Sequence, residues 1–260
     1  MSKSDKALYL IFFSIAMMVL FFILLPLIRL VFFLNPSTIS VIKDKSVLIS
    51  LWNSISLSLA TAGIALVIGI PTAFLMSKGM FGKFEKVVET LVDLPLAIPH
   101  TVVGIALLFI IGRKGIIGSI FYNSFGFKMT GTRVAIVLAM LFVSLPYTVS
   151  SAREGFKKVE SSLVKSAMTL GAPMSSIFKD IYLPLSKSAI FSGFMLTWAR
   201  AISEFGAVVI LAYYPMTAPV KIYDAFTQYS LNTSAAIAAY LLLICLAIFL
   251  TLRFSLGERK

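Results

Sequence analysis

The 260-residue chain is 59% hydrophobic and 13% charged, whereas a soluble domain carries roughly a quarter charged residues. That deficit excludes an ordinary globular core and makes lipid the main solvent. A net charge of +12 would suggest nucleic acid in a soluble protein; in so apolar a chain it reads as basic loops that set orientation, and no nucleic-acid partner is expected.

The uncharged run Ala7–Ile28 is 22 residues long, too long for a typical secretory signal core, and no small-residue cleavage site follows it. It reads as a retained first span over 8–30. A bilayer crossing needs about 20 apolar residues, and five more candidates follow. The second covers 52–77 and contains Gly63, Gly69 and Pro71. The third covers 94–112, with Pro95 and Pro99 at its entry. The fourth covers 134–152, with Pro146 near its end. The fifth covers 188–212 and holds Arg200 and Glu204. The sixth covers 235–252. The expectation is an all-α polytopic membrane protein with six transmembrane helices. With the N-terminus inside, inner segments carry 14 basic residues and outer segments 8, which places both termini in the cytoplasm of a multi-pass cell-membrane protein.

Within the second span, Asn53, Ser56, Ala60 and Gly63 share one helical face of small or polar side chains. Such a face lets helices approach closely in lipid, and intrachain packing is its simplest use. Pro71 and Pro146 predict kinks or local breaks. His100, the sole histidine, follows Pro99 at the head of the third span and reads as a polar group bonded to backbone near the interface. The lone Cys245 allows no intrachain disulfide.

Residues 153–187 form the longest inner segment, too long and too patterned for a mere connector. Ser161 or Ser162 can cap a helix. Leu163, Val164, Ala167, Met168 and Leu170 then fall on one side, with Lys165, Ser166 and Thr169 on the other. Gly171 supplies a left-handed stop, and Pro173, after Ala172, forbids continuation. Ser175 or Ser176 can cap a second short helix, ending before Leu183-Pro184. A compact, sharply terminated polar segment in such a chain suits presentation to a soluble partner; lying on the membrane surface is its other use.

In the fifth span, Arg200 and Glu204 lie four residues apart on one face and can neutralise each other. They either border a polar route or hold helices together. No phosphate loop, His-Glu-x-x-His, cysteine cluster or nucleophile elbow is present, so no catalytic residue, bound metal or cofactor is expected in this chain.

Ala167 and Gly171, followed by Ile181, Leu183 and Pro184 in register, resemble the signature loop of permease subunits in ATP-binding-cassette (ABC) importers. Lys165 stands where that family usually has Glu, and Ser166 where it usually has Ala. Asp93-Leu-Pro-Leu-Ala-Ile-Pro-His-Thr-Val-Val-Gly104 and Trp198-Ala-Arg-Ala-Ile-Ser-Glu-Phe-Gly-Ala207 resemble the molybdate/tungstate permeases and, less closely, their sulfate relatives. The resemblance implies a type I importer (MetI-like) fold: an N-terminal helix and outer loop at 1–45, a permease core at 46–253 with coupling loop 153–187, and a cytoplasmic tail at 254–260. It also implies partners: a second copy, two ABC ATPase subunits that carry ATP and Mg, and an extracytoplasmic oxyanion-binding protein. The ATPases would grip Leu163, Val164, Lys165, Ser166, Ala167, Met168, Gly171, Ala172 and Pro173, with Ile181, Leu183 and Pro184 behind them. Pro99, His100, Arg200, Glu204 and Phe205 would border the pathway or gate. A sulfate importer of the same design and an ion-coupled secondary carrier are the rival readings; the latter usually shows repeated halves, and none is found here.

Overall fold

Long apolar runs recur along the chain, and the computed structural model is helical throughout its regular elements. It describes residues 3–32, 34 and 40–257, with side chains over 5–32, 34 and 40–254. Arg259 and Lys260, counted above among the inner charges, and the end of the expected tail lie outside the described residues. So does most of the outer segment at 33–39.

The helices in chain order are α1 (Lys3–Val31), α2 (Lys45–Ser77), α3 (Glu85–Ala97), α4 (His100–Ile111), α5 (Ile116–Phe125), α6 (Arg133–Lys157), α7 (Ser161–Thr169), α8 (Met174–Ile177), α9 (Leu183–Leu185), α10 (Lys187–Ile202), α11 (Gly206–Leu211), α12 (Ala218–Gln228) and α13 (Leu231–Gly257). Four of them, α1, α2, α6 and α13, are long and apolar enough to cross a bilayer. The segment Gly82–Ala97 with α4 makes a fifth only if its 113° bend is counted within one span. The expected count of six is therefore not reached on length and composition.

Two expected spans are broken, the first of them for a local reason. The third stops at Ile98–Pro99, because the residue before a proline is pushed out of the helical region; Ile98 has ψ 135°. The fifth stops after Ile202 and resumes at Gly206, leaving α10 at 16 residues. That is about 24 Å of helix, short of a bilayer core. Pro71 and Pro146, by contrast, sit inside α2 and α6 without ending either helix.

The centre of the molecule is α2, α6 and α10. Small buried residues bring the helices together: Ala62, Ala65 and Ala73 from α2, Ala139 and Ala152 from α6, and Ala201 from α10. Hydroxyls join them, as expected where lipid supplies no hydrophobic driving force. Thr148 and Thr197 share a hydrogen bond of 2.7 Å, Thr197 donates to the Ser144 carbonyl (3.1 Å), and Ser151 donates to the Ala189 carbonyl (2.7 Å).

The small-residue face expected on α2 is not the packed one. The buried face carries Ser54, Ser58, Thr61, Ala62, Ala65 and Ala73; of the expected set only Asn53 is buried, while Ala60 is exposed. Small residues occur on two sides of α2, and only the positions of α6 and α10 select between them. Asn53 and Ser54 tie the N-terminal half of α2 to the chain after α11: the Asn53 amide donates to the Met216 carbonyl (3.0 Å), and the Ala218 amide donates to Ser54 Oγ (2.7 Å).

The two broken elements pack on each other through α4 and α11. A Cβ on Gly104 would stand 3.0 Å from both Ala207 Cα and Ile210 Cβ. Gly104→Ala is therefore expected to destabilise the protein by about 1–3 kcal/mol. Gly63→Ala, where a Cβ meets nothing within 4 Å, is expected to be neutral or mildly stabilising. Thermal unfolding of the two detergent-solubilised variants checks both.

Candidate functional site

The loop between α6 and α10 is built on a firmly rooted short helix. Helix α6 runs through to Lys157, so Arg153, expected in the loop, belongs to α6. There it bonds Glu89 at 2.5 Å and lies 3.5 Å from Glu85, tying α6 to α3. Helix α7 begins at Ser161 after Glu160, and neither Ser161 nor Ser162 caps it. Its end matches the sequence reading: Gly171 has φ +82°, its amide donates to the Met168 carbonyl (3.0 Å), and the Ala172 amide donates to the Ala167 carbonyl (3.0 Å). This is the paired-bond Schellman stop, which needs a left-handed residue just past the helix.

Beyond Pro173 the chain does not end a helix before Leu183-Pro184 as expected. Helix α8 passes into a π-helical turn, Phe178–Tyr182, and then into α9, with Pro184 inside it. Proline is tolerated there because its missing N–H falls near a helix start. Nor do Ser175 and Ser176 cap: Pro173 occupies that position.

The apolar side of α7 divides in two. Val164 is buried and Ala167 partly so, against Ala73, Met76, Val149, Ala152, Phe156, Ile177 and Tyr182. Leu163, Met168 and Leu170 remain exposed, the last at 87%, together with Met174. At 100° per residue the apolar arc is wider than the root beneath it, so its flanks stay uncovered. Lys165, Ser166 and Thr169 are exposed beside them. Ile181 and Leu183 pack on the root from the far side, and Pro184 is exposed.

Under the loop lies an aromatic cluster. Phe74 of α2 stands edge-on to Phe156 (5.6 Å), Phe178 (4.7 Å) and Tyr182 (5.1 Å). The Lys78 ammonium lies 3.9 Å from the centroid of the Tyr182 ring and bonds its hydroxyl. Partial loss of water pulls that ammonium below the ordinary lysine pKa.

A second polar constellation occupies the two helix breaks. Pro99 precedes α4, and its carbonyl accepts from the Val102 (2.9 Å) and Val103 (3.2 Å) amides. Glu204 lies in the gap between α10 and α11, fully buried. Its Oε2 accepts from Arg200 Nη2 at 2.7 Å, and its Oε1 accepts from the Ala207 amide at 2.9 Å, capping the first turn of α11. The same Arg200 nitrogen lies 2.6 Å from His100 Nε2, and His100 Nδ1 is 3.7 Å from Glu204. His100 thus bonds a side chain a hundred residues away rather than backbone. Phe205 packs against Tyr223 of α12, with ring centroids 5.1 Å apart and the planes tilted by 50°.

The pair Arg200–Glu204 was legible as an i,i+4 spacing; the third member was not. Gly206, where a Cβ would meet His100 Cβ at 2.8 Å, is the residue that admits it. Further out, Asp224 is buried and accepts from Tyr213 (2.6 Å), Gln228 (2.7 Å) and Lys221 (3.3 Å). That bond pushes the Tyr213 phenol up to about 12. Among the described residues no three His, Cys, Asp or Glu side chains are grouped to hold a metal.

Helix α6 serves both the loop and the breaks. It places Val149, Ala152 and Phe156 under the loop, and Ala135, Ile136, Ala139, Met140 and Val143 in the cluster around α4 and α11.

Comparison with known proteins bears on this arrangement. A family described as "Binding-protein-dependent transport system inner membrane component" matches residues 67–256. The molybdate/tungstate transport system permease protein WtpB of Thermococcus kodakarensis is 40% identical over 223 residues, covering 85% of this chain and 84% of that protein. The protein of the same name in Methanocaldococcus jannaschii is 39% identical, covering 91% and 92%. A probable sulfate transport system permease of Chlorella vulgaris is 37% identical, covering 61% of this chain and 60% of that protein. Among solved structures, a bacterial ABC transporter involved in alginate import shares the fold, with a TM-score of 0.72 over 99% of this chain and 98% of that one at 18% identity.

Proposed function

We propose, for a chain that belongs to the binding-protein-dependent transport system inner membrane components, that it is the permease subunit of an ATP-driven importer of molybdate or tungstate. The oxyanion class rests on the WtpB relatives and the ATP-driven mode on the loop. The observation that carries the mechanism is that loop: α7 is fixed at its root by Val164 and Ala167, yet leaves Leu163, Met168 and Leu170 bare beside Lys165. A rooted helix with an uncovered apolar flank suits the cleft of a soluble ATPase.

Two copies of the chain would enclose the pathway, with both termini cytoplasmic. Two ATPases would hold the two loops, and an extracytoplasmic binding protein would deliver the anion. ATP and Mg would reside on the ATPases. ATPase closure would move α7, and with it the cytosolic end of α6, whose outer half packs against the helix breaks. This is a two-state element biased from outside the membrane. At the breaks Glu204 neutralises Arg200, so the pair would border or gate the route rather than offer an unpaired cation to a dianion.

Vesicles holding the permease, its ATPase and its binding protein supply the test. Tungstate uptake is expected to require ATP, and unlabelled molybdate to compete far better than sulfate. Effective competition by sulfate would favour the sulfate reading that the Chlorella relative supports. Uphill uptake by the permease alone on an ion gradient would overturn the ATP-driven reading.

A further inference from the structure

We infer that Lys78 and Tyr182 form a clasp that makes α2 follow the loop, and are therefore positioning residues for the coupling of ATP hydrolysis to transport. The inference rests on the ATP-driven reading above.

The loop is covalently continuous with α6 on one side, through residues 158–160, and with α10 on the other, through the π turn and α9. It has no direct chain connection to α2. Yet α2 is the helix whose N-terminal half holds the segment after α11, through Asn53 and Ser54. A displacement of the loop reaches that segment directly along α2, and not only through α6 and α10, if side chains bind loop and helix together. The C-terminal end of α2 supplies them: Ala73 and Met76 in the buried cluster, Phe74 among the three other rings, and Lys78 at the helix terminus.

The π turn gives Tyr182 its direction. In an unbroken α-helix Ile177 and Tyr182 would point about 140° apart. In the π turn the Leu183 amide donates to the Phe178 carbonyl, five residues back, and both Ile177 and Tyr182 face the cluster, 1% and 2% exposed. Such turns recur at functional positions because they re-aim a side chain.

Lys78 then completes the contact from the α2 side. A buried phenol needs a partner for its hydroxyl, and the Lys78 ammonium supplies it. Apolar packing alone allows the loop to slide on α2. A directional bond from Lys78 to the Tyr182 hydroxyl defines one register between them.

Three variants of the complete transporter test the clasp in vesicles, read as tungstate taken up per ATP hydrolysed. Tyr182→Phe keeps the ring and removes the hydroxyl. Lys78→Met keeps the length and removes the charge. Lys78→Arg keeps a cationic donor. The first two are expected to lower the ratio by about threefold to tenfold, the range of coupling changes carried by packed networks. Both should keep the ATPase bound and its basal hydrolysis unchanged, and Lys78→Arg should stay near wild type. An unchanged ratio in the first two would overturn the clasp. So would loss of the ATPase from them, or a parallel fall of uptake, hydrolysis and melting temperature. A wild-type permease that retains no ATPase would overturn the proposed function itself, an outcome distinct from all of these.

Discussion

Glu204→Ala is expected to destabilise the permease by about 3–5 kcal/mol, the largest effect of any single substitution considered. Glu204 is fully buried and both of its oxygens are engaged, one by Arg200 and one by the Ala207 amide. Removing it leaves a guanidinium with 18% exposure and no counter-charge, beside a helix start with an unmet N–H. Thermal unfolding in detergent measures the loss. The paired variant Glu204→Gln with Arg200→Gln separates structure from transport. It removes both charges while keeping polar groups of similar shape, so stability is expected to return most of the way. Uptake is expected to remain low, because the polar border at the helix breaks has lost its charge. A well-folded double variant with unchanged uptake would take both residues out of the mechanism.

Gly171→Pro is expected to insert normally and to lose its ATPase, with co-purified ATPase down by about tenfold or more, equivalent to at least ~1.4 kcal/mol of docking free energy. Proline holds φ near −65°, whereas Gly171 sits at +82°. Proline also lacks the N–H that closes the turn onto Met168. The stop of α7 cannot form with this residue, and Leu170 and Ala172 must swing away from the root. Gly171→Ala strains the same φ by about 1–2 kcal/mol but keeps the N–H, so it is expected to lose less. The spans do not include this turn, so membrane insertion, scored by fractionation, should be unaffected. Full retention of ATPase binding and stimulated turnover by Gly171→Pro would refute the docking role of the loop.

How far the site was legible follows from how local each feature is. The limits of α7 and its stop at Gly171 were read closely, because a Schellman stop is decided within six consecutive residues. The pairing of Arg200 with Glu204 was also accessible, since residues four apart in a helix are neighbours. The capping serines were read wrongly: Ser161 and Ser162 are adequate caps in isolation, but the entry angle from α6 places Glu160 there instead. Leu183-Pro184 was read as an end and is an interior, because a π turn and a fresh helix start absorb the proline.

Residue types and their spacing determined by themselves that this chain is helical, apolar enough for lipid and interrupted by a short, sharply stopped helix. Those outcomes depend on transfer of side chains from water and on hydrogen bonds closed within a few residues. Tertiary packing alone decided that the third and fifth apolar runs break side by side, that His100 joins Arg200 and Glu204, that α2 turns its Ser54–Thr61 face inward, and that Tyr182 meets Lys78. Each of these joins residues far apart in the chain. In a bilayer the apolar faces of one helix are nearly equivalent, so only the fit of small residues and the need to satisfy buried polar groups choose between them.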